Sequence, residues 1–227
     1  MTTRAYGLWD TAMVQTAPPR PLLRGILHLV AAMFAIVGLV ALLLTATSPS
    51  GYVGASIYGA GLILLYSTSA AYHRLSRRPA LHGVLRRLDH GMIFVLIGAT
   101  YTPFCLGVLD LAWGIPMLAV VWSIAALGVM LKVAWIGLPK WLGVSLYVAL
   151  GWMAVVIAPE VASELAIGGL ALLVGGGVLY TVGGVAYGLA WPNPWPRVFG
   201  FHEVFHSFVI GGSALHYAAV ALYAVGP

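Results

Sequence analysis

Charge is what this chain has least of. Only 7% of its 227 residues are Asp, Glu, Lys or Arg, against roughly 25% in soluble domains. That scarcity excludes an ordinary water-facing surface. With 61% hydrophobic residues and a mean hydropathy of +0.97, the composition is that of an integral membrane protein. Cysteine is nearly absent. Cys105 stands alone, so an internal disulfide is excluded, and its apolar neighbours make it a packed core thiol. The first 20 residues lack a short apolar core, so a cleaved signal peptide is not expected there and the first long apolar run is read as an uncleaved signal-anchor. Internal repeats are missing, as is any polar segment recognisable as an extracellular ligand-binding domain. Acids are rarer than bases, 6 against 11, for a net charge of +5. A basic balance can signal nucleic acid, but membrane topology accounts for it better, and no nucleic-acid partner is expected.

What is present is apolar sequence in long runs. A membrane helix needs about 20 apolar residues, and the runs read as seven helices near residues 25–46, 51–73, 89–108, 112–132, 141–158, 165–188 and 201–224. Ser48-Pro49-Ser50-Gly51 breaks the first pair, and residues 74–87, with five arginines and Pro79, break the second. Asp110 marks a tight turn in an apolar stretch too long for one span. Pro139-Lys140, Pro159-Glu160 and the triplet Pro192, Pro194 and Pro196 mark the later breaks. The expectation is an all-α seven-helix membrane bundle, with residues 1–20 as a cytoplasmic tail and 21–227 as the membrane domain.

Seven spans put Arg4, Arg20, Arg24, Arg74, Arg77, Arg78, Arg86, Arg87, Lys132, Lys140 and Arg197 on one side. These are all 11 of the lysines and arginines. The positive-inside rule then predicts a cytoplasmic N-terminus and an external C-terminus, in a multi-pass plasma membrane protein. The glycines of the sixth helix read as close helix packing, and Pro103 is expected to kink the third helix, its freed carbonyls re-satisfied by neighbours.

Against this apolar background, a few polar residues stand out at the ends of spans. Ser69 and His73 close the second helix, Asp89 opens the third, and His202 and His206 open the seventh, all at the basic side. Residues four apart share a helix face and differ by about 6 Å in height. His202 and His206 can therefore grip one ion together, with His73 as a third ligand. Three imidazoles with an open fourth position are a catalytic zinc pattern. Asp89 then suits a general base, and Ser69 a donor to water or to a developing oxyanion. Singly, each has a plainer role: a packed histidine, a serine bonded back to its own helix, an aspartate paired with Arg86 or Arg87. Their joint placement favours a metal site, because such groups are costly at membrane depth. His202-Glu203-Val204-Phe205-His206 also matches the zincin motif, which keeps Glu203 open as a competing base. His28, His82, His90 and His216 lack partners at ligand spacing, and His216 lies about 15 Å deeper than His206.

Ser69-x-x-x-His73, Asp89 and His202-x-x-x-His206, with Asp89-His90-Gly91 running on to Thr100-Tyr101-Thr102-Pro103, resemble the hemolysin III family, within the progestin and adipoQ receptor and alkaline ceramidase-like superfamily. The resemblance spans the chain from about residue 20. It implies seven helices, zinc (Zn2+) held by His73, His202 and His206, and Asp89 and Ser69 attending the metal's water. It further implies hydrolysis of a lipid amide, with a membrane lipid as substrate. A second class stays open: a pore-forming cytolysin or a receptor-like signalling protein in which zinc is structural. A pore calls for polar residues along several helices, and few lie outside the cytoplasmic third.

Overall fold

The computed structural model describes residues 21–75, 79–135 and 137–226. The expected tail, residues 1–20, lies outside them. The described chain is helical, and the seven helices long and apolar enough to cross a membrane bear out the expected bundle. The elements are α1 (Ile26–Thr45), α2 (Pro49–Leu75), α3 (Pro79–Gly107), α4 (Leu111–Ala134), α5 (Lys140–Trp152), α6 (Ala158–Glu164), α7 (Ile167–Leu189) and α8 (Phe201–Tyr223). A 3-10 turn, Met153–Ile157, joins α5 to α6, and the two helices together make the fifth span.

Two boundaries differ from the sequence reading. The third helix begins at Pro79, not at Asp89. Proline is well placed at a helix start, where its missing N–H costs nothing. Leu81, Val84 and Leu88 then recur at helical spacing and remain exposed, so Arg86 and Arg87 ride on a helical extension. Pro159, expected to separate the fifth and sixth spans, instead lies in the first turn of α6, and the fifth span runs on to Glu164. The turn at Asp110 is as expected: its carboxylate caps α4 by accepting from the Ala112 N–H at 2.7 Å.

The core mixes small, aromatic and aliphatic residues, and many other large apolar side chains face outward. On α1, Phe34, Val37 and Leu44 are among the residues exposed to the surroundings, an outer surface suited to lipid rather than water. Inside, tyrosines tie helices together where lipid would leave a carbonyl unmet. The Tyr101 hydroxyl donates to the Gly151 carbonyl at 2.7 Å, Tyr147 to the His90 carbonyl at 3.0 Å and Tyr217 to the Gly38 carbonyl at 2.9 Å. Pro103 lies inside α3, packed so closely on α2 that a Cβ added to Gly54 would sit 2.8 Å from its Cα. Several glycines of α7 act as read: a Cβ at Gly176 would fall 2.7 Å from the His216 ring on α8.

Alternation of the spans gathers the cations at one end. Arg24 precedes α1, Arg74 closes α2, Arg86 and Arg87 lie in the early turns of α3, Lys132 closes α4, Lys140 opens α5 and Arg197 precedes α8. That end also receives His73, His202 and His206.

Candidate metal centre

His73 sits in the last turn of α2, and His202 and His206 in the first two turns of α8. Helix geometry sets the second pair on one face, with ring centroids 4.5 Å apart. Packing of the bundle brings His73 to them. Its Nε2 lies 3.0 Å from Nε2 of His202, and one ligand atom from each histidine falls within 4.8 Å of the others. Zinc–nitrogen bonds of about 2.0–2.1 Å in a tetrahedron place two ligand nitrogens about 3.3 Å apart, so modest closing of this triangle would make room for an ion of that size. His206 is buried, and its Nδ1 has no hydrogen-bond partner. A buried polar atom without a partner calls for an explanation such as an ion or water. Three imidazoles suit zinc among several transition metals. Among the described residues, no carboxylate joins the metal-capable group.

Ser69 and Asp89 come together beside it. The Ser69 hydroxyl is 2% exposed and lies in reach of the Asp89 carboxylate, yet it completes no hydrogen bond of good geometry. Other hydroxyls of the helices behave differently: Thr68 donates to the Leu64 carbonyl at 2.7 Å, Thr102 to Gly98 at 3.0 Å and Ser207 to Glu203 at 3.0 Å. Ser69 is therefore not spent on its own helix. Asp89 enters about ten residues after the start of α3, deeper in the helix than its expected place at the first turn. Its carboxylate keeps only 15% exposure and lies 3.7 Å from Nδ1 of His90. Neither Arg86 nor Arg87 pairs with it among the described residues, and Arg87 donates instead to the Val133 carbonyl at 3.0 Å.

Glu203, the competing base, is engaged elsewhere. It is 0% exposed and forms an ion pair with Arg24. Its other oxygen accepts the Gly200 N–H at 2.9 Å, capping α8. Its carboxylate faces into the protein, toward the start of α1, rather than out to the membrane interface.

One residue of the centre escaped sequence reasoning. His28 on α1 stacks on His206, ring centroids 3.7 Å apart and planes within 11°. It is buried, with neither ring nitrogen hydrogen-bonded, and Tyr66 meets it edge-on at 5.0 Å. It has no partner at helical spacing, which is why pattern alone passed over it. Its position was the available signal: a lone histidine at the basic end of the most apolar span is costly without a role. His216 is apart from the centre, as expected, stacked on Tyr180 at 5.2 Å.

The amino-acid sequence matches a family model. The model described as Haemolysin-III related aligns with residues 16–217. The chain is also 32% identical over 203 residues to the Hemolysin-3 homolog of Bacillus subtilis (strain 168), covering 88% of this chain and 92% of that protein. It is 30% identical over 201 residues to Hemolysin-3 of Bacillus cereus, covering 87% and 89% respectively.

Proposed function

The chain belongs to the haemolysin-III-related family, and from that premise we propose that it is a zinc-dependent membrane hydrolase acting on lipid amides. The observation that carries the reading is the convergence of three imidazoles from α2 and α8 on one point, beside a serine and an aspartate that no helix or arginine has claimed. His73, His202 and His206 would hold the ion. Bound there, zinc supplies Lewis acidity and brings water toward ionisation near neutral pH. Asp89 takes the proton from the attacking water at its carboxylate and later returns it to the leaving amine. The Ser69 hydroxyl donates either to that carboxylate or to the oxygen that gains charge as the amide is attacked. The metal end faces the cytoplasm, because that end carries the cations, and the bacterial inner membrane is its place.

The relatives' names favour a second reading, in which the protein lyses cells and the ion is structural. Hydrolysis of a fluorescent ceramide-type amide by the purified, zinc-loaded protein separates the two. Asp89→Asn is expected to abolish hydrolysis while zinc stays bound, and Glu203→Gln to keep most of it. Haemolysis that depends on the protein, with no amide cleaved by wild type, would overturn the enzyme reading.

A further inference from the structure

A cavity of about 260 Å³ opens at the basic end of the bundle and has His73 and His202 on its wall. Arg24, Arg86 and Lys140 also line it, and no carboxylate does among the described residues. We propose that this cavity binds a phosphate group, carried by a lipid headgroup or free in solution. The binding claim stands on the cavity itself; its assignment to the substrate rests on the hydrolase reading above.

Topology alone explains why cations gather at this end, but not why three of them turn inward onto one cavity. Their charges are not equally available. Arg24 is tied to Glu203. Arg86 and Lys140 have no carboxylate partner among the described residues. The Lys140 ammonium is held over the rings of Tyr187 and Phe201, at 5.6 and 5.7 Å from their centroids, a cation–π contact that leaves its donors available. Arg86 offers a planar fork of donors that fits phosphate two bonds at a time. One compact cation and one fork, left over after internal pairing, make a site for a compact oxyanion. The volume agrees. Pockets for whole drug-sized ligands run about 300–1,000 Å³, so this one suits a headgroup, with acyl chains left in the bilayer. An anion held here would lie beside His73 and His202, which places a neighbouring bond of the same molecule near the metal centre.

The test uses full-length protein in detergent, stripped of metal so that phosphate cannot bind an ion. Calorimetric titrations with dihexanoyl phosphatidate, dihexanoyl glycerol and inorganic phosphate are compared. Phosphatidate is expected to bind and the uncharged glycerolipid not to. Arg86→Gln with Lys140→Gln should weaken phosphatidate by about tenfold or more, while Arg87→Gln, one residue along but outside the cavity, should not. Inorganic phosphate binding as tightly as phosphatidate would assign the site to the free anion; much weaker binding would assign it to the lipid. If the double variant fails to fold, each single glutamine variant is expected to weaken binding severalfold. Binding of neither phosphate compound, or equal loss in Arg87→Gln, would overturn the proposal. Hydrolysis is not read at any point, so failure of the enzyme reading would show separately.

Discussion

At the residue scale, the centre gathers His28, Ser69 and His206, each with a buried polar atom that completes no hydrogen bond, in a medium where such atoms are expensive. Stacked on His206 at 3.7 Å, His28 fixes the plane of that ring much as an outer-shell partner does in other metal sites. Its replacement by alanine is expected to weaken metal binding by about 10–100-fold, measured by competition with a coloured chelator. His216→Ala, remote from the centre, should leave affinity unchanged. Equal affinity in both variants would remove His28 from the site. Helical spacing and a shared membrane side are written in one dimension, so the sequence pointed to the group His73, His202 and His206 and, as an expectation, to Ser69 and Asp89 with it. It hid His28 because stacking between α1 and α8 is a product of tertiary packing. The fate of Glu203 was hidden for the same reason, since Arg24, its partner, lies 179 residues away.

Elements carry the next level. α1 and α8 are clamped at the basic end by Arg24 and Glu203, which holds His28 against His206. Removing one member of a buried ion pair strands the other. Glu203→Gln should therefore lower stability by about 3 kcal/mol, the lower end for such pairs because Arg24 keeps 21% exposure. A large drop in detergent melting temperature would match that role. α7 and α8 meet through glycine. Gly176→Ala places a methyl 2.7 Å from the His216 ring, whereas Gly177→Ala meets nothing within 4 Å. The first change is expected to cost about 1–3 kcal/mol and the second to be neutral or slightly stabilising, as thermal unfolding would show. Span positions were legible from hydropathy. The ends were not, because charge on α3 and proline on α6 resemble loop signals, while a helix tolerates both in its first turns.

The whole molecule is polarised. Among the described residues, the cations, the three metal-capable histidines and the cavity share one end, and Asp110, Glu160 and Glu164 belong to the other by the alternation of spans. If the basic end is cytoplasmic, a reporter fused to the C-terminus should be active only when it functions outside the cytoplasm; activity of a cytoplasmic reporter there would invert the orientation. The hydrolase reading depends on one claim, that His73, His202 and His206 hold a metal ion together. Elemental analysis of the protein purified without chelators tests it directly. About one zinc per chain is expected in wild type, most of it lost in His73→Ala, and none retained when His202 and His206 are both replaced by alanine. Stoichiometric zinc in that double variant, or a wild-type protein that takes up no transition metal when supplied with it, would contradict the account.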